Sequence, residues 1–146
     1  MRVLALDLGL ARVGVAVSDV SETLAFPRPM IARKGMKDAV VAKRVLELVV
    51  EEEAEHAIVG LPVSLRGKHE QAVAEQQPLV ELIQSVLATH DIELERVDER
   101  MTTKSAARSL SEAGMDSRTA RQHIDSAAAT VLLQGWLDKR RPIRED

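Results

Sequence analysis

Apolar and polar positions follow two different periods along this chain. From Arg2 to Leu8, the run Arg-Val-Leu-Ala-Leu-Asp-Leu puts Val3, Ala5 and Asp7 on one side of an extended segment and Leu4, Leu6 and Leu8 on the other. Both sides are mainly apolar, which predicts a central strand covered on both faces. Gly9-Leu10-Ala11-Arg12 reads as a short turn. Arg12 to Asp19 then alternates again, with Val13, Val15 and Val17 against Gly14, Ala16 and Ser18. So short a connection requires antiparallel pairing. A third strand is expected near Pro29 to Arg33. Pro27 and Pro29 have no backbone N–H to donate and suit a sheet edge.

The period then changes to that of a helix. Met36 to Glu53 carries Val41, Val45, Leu48 and Val49 on one stripe, with Lys43, Arg44 and Glu47 outside it. Ala57 to Leu61 is a short buried strand stopped by Pro62, and a loop with Gly67 follows. His69 to Thr89 is predicted helical, with Pro78 kinking it or starting a second segment. Glu93 to Asp98 is a further strand. Thr102 or Thr103 can cap a helix that ends at Gly114, and Asp116 or Ser117 can cap a last helix reaching about Lys139. The order β-β-β-α-β-α-β-α-α, with right-handed crossovers, predicts an α/β fold. It is a mixed five-stranded sheet with helices on both faces. Residues 1–140 are expected to form one domain and residues 141–146 a flexible tail.

Composition narrows the chemistry. An apolar fraction of 45% with 29% charged residues belongs to an ordinary globular chain. There is no cysteine, which removes disulfides, thiol catalysis and cysteine-based metal sites. The first ten residues lack the basic n-region, long apolar stretch and cleavage site of a signal peptide. No apolar run approaches the roughly 18–20 residues needed to span a bilayer. A cytoplasmic location without membrane contact is expected. The net charge of −3 weighs against nucleic acid as a partner, although a carboxylate site subtracts from the total. The bases are unevenly placed: Arg28, Arg33, Lys34, Lys37, Lys43 and Arg44 follow the first strands, and Lys139, Arg140, Arg141 and Arg144 crowd the end. Phe26 and Trp136 are the only aromatic residues, which argues against a base-stacking platform.

Three acids stand where acids are costly. Asp7 interrupts the first strand, Glu99 follows the strand ending at Asp98, and Asp125 lies on the alanine-rich stretch Ile124 to Ala129. An ionised carboxylate in an apolar element costs several kcal/mol unless something pairs with it. Asp7 could pair with Arg12 or Arg100, and Asp125 could make a salt bridge or a helix-dipole contact. Alternatively, the three could share a divalent cation through oxygen ligands, which points to phosphate chemistry. On a helix, Asp125 shares a face with Ala128, Ala129, Leu132 and Trp136. Asp98 and Glu99 are neighbours whose side chains alternate, so a regular strand lets only one of them face Asp7. Thr102 and Thr103 could be helix caps or phosphate contacts. His56, His69, His90 and His123 are scattered and read as surface histidines, and no Walker loop, Gly-x-Gly-x-x-Gly or His-Glu-x-x-His is present.

Together these segments resemble the YqgF/RuvX family. The residues that carry the resemblance are Leu6-Asp7-Leu8-Gly9 with Arg12 to Asp19, Val59-Gly60-Leu61-Pro62 with Gly67, Asp98-Glu99-Arg100-Met101-Thr102-Thr103, and Ile124 to Ala128. The resemblance implies a ribonuclease-H-like fold and a metal-dependent nuclease. Its catalytic, metal-binding acids would be Asp7, Glu99 and Asp125, holding two Mg²⁺ or Mn²⁺ ions bridged by Asp7, with Asp98 or Asp19 as a candidate fourth acid. It further implies 5′-end processing of the small-subunit (16S) ribosomal RNA precursor, with resolution of Holliday junctions as an alternative. The substrate would be structured RNA or branched DNA. Arg12, Arg66, Lys68, Arg100, Thr102, Thr103 and Lys104 would contact its backbone, in a monomer or homodimer. Two rival classes remain. One is a non-catalytic binding scaffold, against which all three acids speak. The other is an actin-like nucleotide-binding protein, which needs a second domain.

Overall fold

A computed structural model describes residues 1–61, 67–98 and 126–140, with side chains described for all of these except 67–73 and 98. The strands are β1 (Arg2–Leu8), β2 (Arg12–Ser18), β3 (Ala25–Ala32), β4 (Ala54–Leu61) and β5 (Leu94–Asp98). The helices are α1 (Asp38–Glu51), α2 (Gly67–Ala88) and α3 (Ala127–Arg140). They form a five-stranded sheet in the order β3-β2-β1-β4-β5. β1 pairs antiparallel with β2, and β2 with β3; β4 runs parallel to β1, and β5 to β4. This is the predicted mixed sheet, with β1 at its centre.

The two faces of β1 feed two separate cores. Leu4, Leu6 and Leu8 join Val13, Val15 and Val59 beneath α1 and α2, where Val41, Val45, Val49, Leu79, Ile83 and Leu87 pack. Val3 and Ala5 join Ala16 and Ile58 beneath α3, against Ala129, Leu132, Leu133 and Leu137. Asp7 belongs by alternation to the α3 side. The α1 stripe is as predicted: Val41, Val45, Leu48 and Val49 are buried.

Several boundaries differ from expectation. β3 begins at Ala25, because Phe26 and Pro27 already pair with Val17 and Ala16. It is the edge strand that its prolines suggested. β4 begins at Ala54, where the parallel register with Arg2 starts. Pro78 neither ends nor divides α2, which is one helix through it. Pro78 is on the exposed side, so the carbonyl four residues back that loses its donor can turn to water. The helix anticipated from Thr102 or Thr103 to Gly114, and a helix start at Asp116 or Ser117, fall outside the described residues. Among the described residues no helix is long and apolar enough to cross a membrane.

Candidate active site

The carboxyl ends of the parallel strands β1, β4 and β5 lie at one end of the sheet, where open α/β sheets take their ligands. Asp7 is at this end. It stands across from Gly14 on β2 and from Gly60 on β4. Neither neighbour carries a side chain, so neither crowds the carboxylate from within the sheet. Asp7 is half-buried, and among the described residues nothing hydrogen-bonds or ion-pairs with its carboxylate. An acid so placed, in an apolar strand and without a partner, fits a cation bound through oxygen.

The turn after Asp7 is held from three directions. The Gly9 amide donates to the Arg12 carbonyl at 2.9 Å. A Cβ on Gly9 would stand 2.8 Å from that same oxygen, so the close approach requires glycine. Gln76 of α2, only 5% exposed, donates from Nε2 to the Leu8 carbonyl at 3.2 Å. Its Oε1 accepts from Arg33 Nη1 at 2.5 Å, and the same nitrogen donates to the Gly9 carbonyl at 2.7 Å. The amides of Arg33 and Lys34 both donate to the Ala11 carbonyl at 2.9 Å.

A second anchor lies on the other side of β2. Its register with β3 slips between Val13, which faces Ile31, and Val15, which faces Arg28. That slip is a β-bulge, which leaves ladder groups without strand partners. The fully buried Ser126 supplies them. Its hydroxyl accepts the Val15 amide at 3.0 Å and donates to the Arg28 carbonyl at 2.5 Å. Thr130 in turn donates to the Ser126 carbonyl at 2.8 Å. The start of α3 is thereby tied to β2 one residue from Gly14, the partner of Asp7.

Of the residues singled out from the sequence, Asp7 and Arg12 are at this end, Arg12 exposed at the start of β2. Glu99, Asp125, Arg66, Arg100, Thr102, Thr103 and Lys104 lie outside the described residues, and of Lys68 only the backbone is described. Asp98 closes β5 in register with Leu61, whose side chain packs on the α1–α2 side. The preceding Val97 pairs with Gly60 and packs on the α3 side, the face of Asp7. Asp19 does not belong here. It lies five residues along β2 from Gly14, about 16 Å at about 3.3 Å per residue. Its Oδ1 accepts the amides of Thr23 at 2.7 Å and Leu24 at 3.1 Å, which makes it part of the β2–β3 turn.

Gln76 and Ser126 were not singled out from the sequence, yet each had a signal. Gln76 stands on the helical stripe of Leu79, Val80 and Ile83, and Ser126 on that of Ala129, Thr130 and Leu133, where a polar group needs a buried partner. Arg33 had no such signal, because its partners come from remote segments.

At the opposite end of the sheet is a cleft of about 460 Å³, lined by Met1, His56, Glu93, Glu95, Trp136 and Arg140. Its groups are largely engaged with one another. Trp136 stacks on His56 with ring centroids 5.4 Å apart, lies 4.6 Å below the Arg140 guanidinium, and donates to Glu95 at 2.7 Å. His56 is thus a packed residue and not the surface histidine anticipated; its side chain is 12% exposed. The cleft is remote from Asp7, since His56 pairs with Val3.

The fold is that of the ribonuclease-H-like resolvases. T. thermophilus RuvC in complex with Holliday junction substrate superimposes with a TM-score of 0.61 at 15% identity, over 95% of each chain. The fowlpox virus resolvase, in a complex with Holliday junction DNA, gives 0.64 at 10% identity, over 95% of this chain and 98% of that one. At the level of sequence the chain belongs to the RuvX family, described as Holliday junction resolvase, whose profile matches residues 1–139. A relative from Corynebacterium jeikeium is 40% identical over 140 residues, 96% of this chain and 88% of its own length; it bears the name "Putative pre-16S rRNA nuclease".

Proposed function

We propose that this protein is a divalent-metal-dependent nuclease that hydrolyses phosphodiester bonds in structured nucleic acid. The observation that carries the reading is the Asp7 carboxylate, without a described partner between Gly14 and Gly60 at the ligand-binding end of the sheet. Glu99 and Asp125 are the other two acids of the proposed site. Strand alternation favours Glu99 over Asp98, because Val97 already shares the face of Asp7 and Glu99 is two residues further on. Asp125 immediately precedes Ser126, which is pinned beside Gly14. Mg²⁺ or Mn²⁺ bound by these acids would supply Lewis-acid activation of water and charge neutralisation at the leaving oxygen. Arg12, Arg66, Lys68, Arg100, Thr102, Thr103 and Lys104 would hold the phosphate backbone in line with Asp7.

The name borne by the Corynebacterium relative favours the 16S ribosomal RNA precursor as substrate. Cleavage at its 5′ end, in the cytoplasm, is the finer reading that the family resemblance suggests. The family description and the junction complexes of the structural neighbours favour a second reading, a four-way DNA junction. Residues 1–140 would form the nuclease domain, as monomer or homodimer, with residues 141–146 a tail outside it. The test compares purified protein on precursor ribosomal RNA, a four-way junction and plain duplex, with Mg²⁺ and with Mn²⁺. Asp7→Asn should abolish cleavage of whichever substrate is cut while leaving thermal stability unchanged or raised, because it removes an unopposed charge. Metal-independent cleavage, or full activity of Asp7→Asn, would overturn the metal-site reading. Binding without cleavage of any substrate would favour a scaffold.

A further inference from the structure

Most described arginines away from the Asp7 end are paired with acids. Arg2 and Arg28 both reach Glu52, Arg44 reaches Glu51, and Arg140 reaches Glu22. The segment from Arg33 to Lys37 is different. Lys34 and Lys37 are exposed, and among the described residues no acid pairs with either. Arg33 spends its Nη1 on the neutral oxygens of Gly9 and Gln76, so its charge is not cancelled there either.

This segment is also fastened to the turn that carries Asp7. The Arg33 and Lys34 amides share the Ala11 carbonyl, and the Met36 amide donates to the Arg33 carbonyl at 2.9 Å. Gly35 turns the chain at φ 78, a left-handed conformation that side-chain-bearing residues adopt only with strain. β3 ends here, with Ala32 across from Arg12. Arg33 and Lys34 are thus held by backbone hydrogen bonds to the turn that follows Asp7. Lys37 is fixed three residues on as the N-cap of α1, its carbonyl accepting the amides of Val40 and Val41. A carboxylate site repels the polyanion it must cut, and fixed cations beside it offset that repulsion.

We infer that Arg33, Lys34 and Lys37 form a phosphate-backbone contact ridge beside Asp7, in addition to the contacts proposed above. This inference rests on the nuclease reading. It assigns Lys34 and Lys37 to direct phosphate contact and Arg33 to fixing the ridge on the turn. The ligand is a phosphodiester backbone, and duplex RNA and duplex DNA are its two sources.

The experiment measures binding of the full chain to a duplex RNA and to a duplex DNA of the same sequence, across a salt series in chelator so that nothing is cut. Wild type is compared with Lys34→Ala/Lys37→Ala, with the charge-preserving Lys34→Arg/Lys37→Arg, and with Lys139→Ala, an exposed base near the end of α3. Each phosphate contact contributes about 0.9 to the slope of log K against log salt on B-form DNA. The double alanine variant should therefore bind DNA with a slope shallower by about 1.8. The arginine variant should restore it, and Lys139→Ala should leave it alone. The same loss on RNA and DNA would identify the shared backbone as the ligand; a loss on one would assign the ridge to that source. A wild-type slope in the double alanine variant, or an equal loss in Lys139→Ala, would overturn the ridge and leave the nuclease reading standing. No binding by wild type to either duplex would also overturn the ridge, and the cleavage assay on precursor RNA and the four-way junction then decides the nuclease reading separately.

Discussion

Ser126 accepts the backbone amide of Val15 at 3.0 Å, across 111 residues of chain. The hydroxyl stands in for a missing strand partner at the β2–β3 bulge and also donates to Arg28. Ser126→Ala leaves a buried N–H and a carbonyl without partners. A loss of about 1–3 kcal/mol is expected from that alone. Chemical denaturation should report it, and hydrogen exchange should accelerate at the Val15 amide well beyond its neighbours. Unchanged protection at Val15 would mean that the bulge closes without the serine.

Gly9 is required by closeness, not by an unusual dihedral. Its Cβ position lies 2.8 Å from the Arg12 carbonyl oxygen, a backbone atom that cannot swing aside. Gly9→Ala must open the turn and stretch the Gly9–Arg12 hydrogen bond, with a destabilisation of about 1–3 kcal/mol. Because Asp7 is two residues away, activity at a temperature where the variant is still folded should fall as well. Loss of stability with normal activity per folded molecule would show that the turn does not position Asp7.

Continued alternation beyond β5 would put Asp98 and Glu99 on opposite faces. Position 98 pairs with Leu61 on the α1–α2 side, whereas Val97 packs on the α3 side with the face of Asp7. Glu99→Gln should therefore remove divalent-dependent cleavage and weaken Mn²⁺ binding measured by calorimetry. Asp98→Asn should leave Mn²⁺ binding near wild type. The reverse pattern would move the metal ligand to Asp98.

The local grammar of the chain was sufficient for much of this fold. The two apolar faces of Val3 to Leu8 announced a central strand, the prolines of β3 an edge, and the Val41-Val45-Leu48-Val49 stripe a packed helix. These are properties of residues within a turn or two of each other, where periodicity alone selects the element. The placement of an acid in the central strand was legible for the same reason. The family resemblance around Asp7 then raised the expectation of metal-dependent cleavage.

What the sequence by itself determined, then, is which residues lie on which face of which element. Only the tertiary structure decided what stands opposite them. That Asp7 falls between Gly14 and Gly60 depends on the register of β1 against two strands, one of them more than fifty residues away. Alternation along a strand is blind to that register. The same is true of Asp19, which directly follows an apolar strand but sits at the other end of the sheet because β2 runs antiparallel to β1. Pro78 stayed inside α2 because it faces solvent, a fact set by how the helix docks. Gln76, Arg33 and Ser126 act through hydrogen bonds spanning 24 to 111 residues. Such bonds exist only once packing has brought remote segments within about 3 Å.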